Sequence, residues 1–182
     1  MFVAIDTKRW TLDELHNLPD DGNKYEVVRG DLFVTPAPSG RHESILAALS
    51  ALLTPYVVAN KLGLVYHPRA VFRFEDSEVE PDLMVRQPWR AANTDWTTAP
   101  LPSLIVEVLS SSTRHRDRKE KRTLYADARI PEYWVIDPER KTVTVIARNE
   151  MERTVRETLV WYPSGADAPL EIRLSEVFID SA

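Results

Sequence analysis

Leu104-Ile105-Val106-Glu107-Val108-Leu109 is the stretch whose reading decides the fold. Branched apolar residues at this density, with Pro102 before them and the Ser110 to Thr113 cluster after, predict a buried central strand. One carboxylate sits in the middle of it. A charge there is costly unless it is paired or holds a metal, so Glu107 requires a partner. Two candidates stand out: Asp82, in Val79-Glu80-Pro81-Asp82-Leu83-Met84-Val85, and Lys121, in the basic helix that follows the strand. Two acids and a lysine converging on a sheet edge are the ingredients of a divalent metal site with a charge-stabilising lysine. The chemistry expected of such a site is phosphodiester hydrolysis.

Outward from this strand, the chain reads as a mixed α/β protein. Thr11-Leu12-Asp13-Glu14-Leu15 has a capping-box pattern for a short helix. Tyr25 to Arg29 and Asp31 to Thr35 flank Gly30 as a tight hairpin. Ser39 or Gly40 caps an amphipathic helix carrying Ile45, Leu46, Leu49, Leu52 and Leu53, with His42 and Glu43 in its first turn. Pro55 is expected to shorten or kink that helix. Leu64 to Phe74 is β-rich and divided near Pro68, and Glu80 to Val85 returns as a strand. A long loop with Trp89 and Trp96 precedes the central strand. A helix follows over Arg114 to Ala128, with Leu124 and Tyr125 on its apolar side and Asp117 four residues before Lys121. Tyr133 to Ile136, Lys141 to Ala147, Arg153 to Trp161 and Leu170 to Leu174 complete the strands. The expected architecture is a mixed central β-sheet flanked by helices.

Composition narrows the function classes. A length of 182 residues suits one core, so a single domain over residues 1–182 is expected. There is no cysteine, which removes disulfides and Cys-based zinc sites and fits a cytoplasmic protein. Met1 to Trp10 carries Asp6, Lys8 and Arg9 without an apolar core, so no secretory signal is expected. No apolar run is expected to span a membrane. The formal net charge is −5, so any nucleic acid would bind through a local basic patch. The run Arg114 to Arg122 offers one, although Asp117 and Glu120 dilute it.

Each candidate has a plain structural reading beside the chemical one. Pro81-Asp82 is also a common turn pair. Glu107 fits a buried salt bridge with an arginine, and Lys121 fits a solvated helix lysine. Glu26, alternating with Tyr25 and Val27, fits a cross-strand pair. His42 at a helix N-terminus is expected to be neutral under the helix dipole, as a hydrogen-bonding residue, a phosphate or water ligand, or a base. Trp89 and Trp96 fit loop packing as well as base stacking. His16, His67 and His115 show no ligand spacing and read as surface residues.

The order and spacing of these segments resemble the Uma2 family of putative restriction endonucleases, within the PD-(D/E)XK nuclease superfamily. The resemblance runs from Thr11-Leu12-Asp13-Glu14-Leu15 through Tyr25 to Leu32, His42, Pro81-Asp82-Leu83 and Glu107-Val108-Leu109-Ser110. It is densest at Asp117, Lys121, Tyr125 and Pro131-Glu132-Tyr133-Trp134-Val135-Ile136-Asp137-Pro138, and extends to Leu174 to Phe178. It implies a restriction-endonuclease-like fold in which Asp82, Glu107 and the Val108 carbonyl bind Mg²⁺ or Mn²⁺. It also implies a catalytic set of Asp82, Glu107, Lys121, Glu26 and His42. The superfamily pattern has lysine two residues after the second acid, where this chain has Leu109. The resemblance implies that the lysine has moved to Lys121. Ser111 and Arg129 are milder departures, standing where proline and glycine are common.

The expected activity is Mg²⁺-dependent endonucleolytic cleavage of DNA by a homodimer. The rival readings are a nuclease-fold binding module with weak or lost catalysis, and a hydrolase of RNA or other phosphate esters. Fold alone does not choose among them.

Overall fold

The computed structural model describes residues 8–88, 96–110 and 117–179. The central run forms a strand, β7 (Leu104–Val108), buried at every position. It lies inside a six-stranded sheet with β3 (Leu64–Tyr66), β6 (Leu83–Arg86), β8 (Glu132–Asp137), β9 (Thr142–Ala147) and β10 (Arg153–Val155). The order is β10-β9-β8-β7-β6-β3. β7 pairs antiparallel with β6 and parallel with β8. A parallel pair needs a crossover. A π-helical turn over Asp117–Lys121 that runs into α3 (Arg122–Asp127) lies within it.

Strand side chains alternate between faces. Leu104, Val106 and Val108 join Leu83, Val85, Trp134 and residues of α2 (Gly40–Ala59) in one core. Ile105 and Leu109 join the opposite core, with Leu124 and Tyr125 of α3 and with Phe72 and Val79 of a second sheet. Glu107 lies between Ile105 and Leu109 in the alternation, so it too points toward α3 and the second sheet.

That second sheet is antiparallel and contains β1 (Lys24–Val28), β2 (Asp31–Thr35), β4 (Phe72–Phe74) and β5 (Ser77–Val79), in the order β2-β1-β5-β4. The β1–β2 turn is Arg29 (φ 51°) and Gly30 (φ 82°), with Val28 opposite Asp31. Two consecutive residues with positive φ match the right-handed twist of a hairpin, the two-residue type I′ connection. The capping box forms on α1 (Leu12–His16): the Thr11 hydroxyl accepts from Glu14 N–H and the Glu14 carboxylate accepts from Thr11 N–H. Ser39 caps α2 by accepting from His42 N–H.

The structure departs from the sequence reading in four places. Glu80 to Val85 is not one strand. β5 ends at Val79, and Glu80-Pro81-Asp82 carries the chain from the second sheet to the first, where β6 begins. Arg153 to Trp161 splits into β10 and β11 (Thr158–Trp161). The latter leaves the large sheet to pair with β12 (Leu170–Arg173), which puts Leu159 and Trp161 into the core under α2. Pro55 does not shorten α2, which continues to Ala59. By length and composition α2 is also apolar enough to cross a membrane. Here Leu46, Leu49, Leu53 and Val57 are instead buried in the core.

Candidate active site

The antiparallel register of β6 on β7 pairs Leu83 with Val106. One step further along the same register sets Asp82 opposite Glu107, on the face shared by Met84 and Ile105. Asp82 sits in the crossing between sheets, so it is fixed by bonds to β7 and α2. Its Oδ2 accepts from Val108 N–H at 2.7 Å and from His42 Nε2 at 3.1 Å. Glu26 enters from β1 of the second sheet, and its Oε1 accepts from Glu80 N–H at 2.9 Å. Lys121 joins the two sheets: its ammonium donates to Glu26 Oε1 at 2.9 Å and to Glu107 Oε1 at 2.8 Å. The Tyr125 hydroxyl donates to the same Glu107 oxygen at 2.7 Å.

All five predicted side chains therefore converge, although they come from five separate segments of the chain. Four are almost completely buried: Glu26 is 1%, Glu107 and Lys121 2%, and Asp82 5% exposed. The solvated reading of Lys121 does not hold. Among the described residues, the Glu107 carboxylate meets a lysine and a tyrosine.

Charge pairing decides the protonation states. Burial alone would raise the Asp82 carboxyl, but the His42 hydrogen bond and the charges of Lys24, His42 and Lys121 lower it to about 2. Burial opposes the Glu26 charge as well, yet Lys121 and Lys24 hold that carboxyl below its ordinary value. His42 departs from the sequence expectation. Burial disfavours its charged form, but the Asp82 carboxylate outweighs burial and raises its pKa. A direct carboxylate partner thus exceeds the helix dipole that was expected to keep it neutral. Ionised Asp82 can only accept, so His42 Nε2 carries the proton between them.

Two residues of the cluster escaped the sequence reading. Lys24 opens β1, and its ammonium donates to the Glu80 carbonyl at 3.0 Å, with Asp82 Oδ1 at 3.6 Å and Glu26 Oε1 at 3.8 Å. Its pKa is raised: burial and Lys121 oppose its charge, and Glu26, Asp82 and Glu107 favour it more. Tyr125 was placed only on an apolar helix face. It is wedged edge-on between Phe72 and Tyr133, which fixes its hydroxyl on Glu107, and burial beside that carboxylate raises its pKa well above the ordinary value. Both could have been found by periodicity. Lys24 is two residues from Glu26 on a strand, and Tyr125 is four from Lys121 on a helix.

His16 and His67 are exposed and pair with Glu78 and Ser50. Trp96 lies beside Arg86, away from the acids, in a short 3-10 turn. Trp89, His115, Ser111 and the start of the basic segment at Arg114 lie outside the described residues, as does the side chain of Asp117.

Asp82, Glu107, Lys24 and Lys121 line a cavity of about 1080 Å³ between α2 and the β1–β2 hairpin. Three buried carboxylates face two ammonium groups and the His42 ring across the site. Its donors are hard oxygens, appropriate to Mg²⁺ or Mn²⁺. Among the described residues, no three His, Asp or Glu side chains form a ready metal cage. An ion here would rest on two carboxylates with main-chain, water or phosphate oxygens, the usual manner of holding Mg²⁺.

A family model described as "Uma2: Putative restriction endonuclease" matches residues 12–175. The fold is similar to the crystal structure of "a putative nuclease belonging to DUF820 from Anabaena variabilis ATCC 29413". The TM-score is 0.72 with 21% sequence identity, over 93% of this chain and 97% of the other. No curated protein matches.

Proposed function

Since the chain belongs to the Uma2 family, we propose that it is a divalent-metal-dependent endonuclease that hydrolyses DNA phosphodiester bonds. One observation carries this reading. Asp82 and Glu107 lie side by side at the carboxyl end of β7, on a cavity, with the Lys121 ammonium 2.8 Å from Glu107. Asp82, Glu107 and the Val108 carbonyl would hold Mg²⁺ or Mn²⁺. The N–H and C=O of one strand residue point to the same side, and Val108 N–H is directed at Asp82. When bound, the metal supplies a water of lowered pKa and neutralises phosphate charge.

The protein's own groups hold the rest of the site in place. Lys121 fixes Glu107 and offsets the charge of the two carboxylates it bridges. Glu26 holds Lys121 from the opposite sheet. His42 and Val108 N–H hold Asp82 ionised and oriented, and Tyr125 orients Glu107. A homodimer would bring two such sites to the two strands of a duplex. A monomeric mass by light scattering at micromolar concentration would remove the dimer from this reading.

The test is calorimetric titration of Mn²⁺ into the wild type, Asp82→Ala and Glu107→Ala, with cleavage of supercoiled plasmid and of RNA assayed in parallel. The expected result is wild-type binding that both substitutions abolish, together with metal-dependent cutting of plasmid. Mn²⁺ binding unchanged in both variants would overturn the site. Cutting of RNA alone would move the substrate, and metal binding without cutting would favour a nuclease-fold binding module.

A further inference from the structure

We propose that Lys24, rather than Lys121, is the ammonium that meets the substrate phosphate; this rests on the nuclease reading above. The superfamily's usual lysine position is closed in this fold. Leu109 occupies it, buried in the core with Leu124 and Tyr125. Lys121 supplies a cation to the same face of the sheet, but it is enclosed. Its side chain is 2% exposed, and two carboxylates hold it at 2.8 and 2.9 Å. A phosphate oxygen approaching that ammonium would have to displace Glu26 or Glu107.

Lys24 faces no such obstacle. Its side chain is 19% exposed and lines the cavity beside Asp82. An ammonium has three N–H donors. One goes to the Glu80 carbonyl at 3.0 Å, whereas Asp82 at 3.6 Å and Glu26 at 3.8 Å lie beyond hydrogen-bond reach. Donors therefore remain for an incoming oxyanion.

The geometry around Asp82 points the same way. His42 and Val108 N–H engage Oδ2, and Lys24 stands on the side of Oδ1. A phosphate drawn to Asp82's side of the site arrives next to Lys24. In the hydrolysis, a water oxygen bonds to phosphorus as the bond to the leaving oxygen breaks. The water gives up a proton to solvent and the leaving oxygen takes one from solvent. Lys24 stays protonated throughout and donates to a non-bridging oxygen. Lys121 holds the carboxylates in place.

The test uses Lys24→Gln, which removes the charge and keeps a polar donor, and Lys24→Arg, which keeps the charge. Five quantities are read: kcat and KM for cleavage, affinity for a fluorescein-labelled oligonucleotide in Ca²⁺ as single strand and duplex, Mn²⁺ affinity, and the urea midpoint. Lys24→Gln is expected to lower kcat on the order of 10²–10³-fold, the usual loss of one charge-stabilising donor. It should weaken oligonucleotide binding and leave Mn²⁺ affinity within a few-fold, and Lys24→Arg should recover part of both losses. A folded Lys24→Gln with wild-type kcat and oligonucleotide affinity would overturn the proposal and leave the nuclease reading standing. Unfolding of both variants would assign Lys24 to the scaffold and overturn it too. Wild type that binds oligonucleotide without cutting, with binding lost in Lys24→Gln, would keep the phosphate contact and remove the nuclease reading. Wild type that neither binds nor cuts would remove both.

Discussion

Replacing Lys121 with methionine keeps the volume of the side chain and removes the charge that Glu26 and Glu107 share. Both carboxylates stay buried, at 1% and 2% exposure. Removing one partner of a buried ion pair costs about 3–5 kcal/mol, because the remaining charge is stranded. Here two charges are stranded, but Glu80 N–H still supports Glu26 and the Tyr125 hydroxyl still supports Glu107. The same range of about 3–5 kcal/mol is therefore expected, a large share of the roughly 5–15 kcal/mol that stabilises a typical domain. Urea unfolding should show a lower midpoint with an unchanged slope.

The loss should depend on pH. In the wild type the folded Glu26 carboxyl lies below its ordinary value of 4.5. Its stabilising contribution is thus present above that value and disappears as the pH falls through the folded one. Without Lys121, only Lys24 and Glu80 N–H oppose burial, so the Glu26 carboxyl rises relative to the wild type and its ionisation stabilises the fold less as the pH rises. The gap between wild type and variant should be largest near about pH 8 and narrow progressively as the pH falls below 4.5 and through the folded value. An equal gap at both ends, or a gap below about 1 kcal/mol as for an exposed pair, would refute the reasoning.

Four further outcomes follow from the same structure. Tyr125→Phe removes a buried hydroxyl bonded to a carboxylate and should cost about 1.5–3 kcal/mol without altering the fold seen by circular dichroism; a neutral effect would show that this bond carries no stability. Asp82→Asn removes the larger of the two carboxylate contributions that raise His42, so the His42 ring should titrate lower than in the wild type in an NMR pH series, and an unmoved titration would count against the pairing. The same substitution should remove acid sensitivity, since Asp82's contribution is present above 3.8 and lost as the pH falls through about 2. Gly30→Ala places a side chain at φ 82° and should cost about 1 kcal/mol or more in thermal or urea unfolding.

Much of this was readable from residue order. The carboxylate inside an apolar strand announced a buried charge, and the search for its partners led to Asp82 and Lys121. The hairpin around Gly30, the capping box at Thr11 and the helix start at Ser39 each have a local cause, and each formed. What the sequence hid is what depends on distant partners. The crossing at Glu80-Pro81-Asp82 has the same apolar flanks as a strand, and only the arrangement of two sheets reveals that the chain changes sheet there. β11 leaves the edge of the large sheet because Trp161 finds Trp134 and Tyr56, contacts that no local pattern encodes. His42 misled for the same reason, because its charge is set by a residue 40 positions away. Lys24 was overlooked because the first strand was read as starting at Tyr25, although β1 begins at Lys24 and its spacing from Glu26 puts both on one face.

The bridge from Lys121 to Glu26 joins residues 95 positions apart, and this has a consequence for how the molecule comes into being. Contacts this distant in sequence form late, because loop closure must precede them. On the ribosome, Glu26, Asp82 and Glu107 emerge well before the cation that joins the two sheets. A nascent or half-folded chain therefore holds an acidic cluster that lacks its bridging ammonium, and the two sheets lack the clasp between them. Assembly of the site is in effect a checkpoint on folding: the charges balance only after the segment ending at residue 121 has docked.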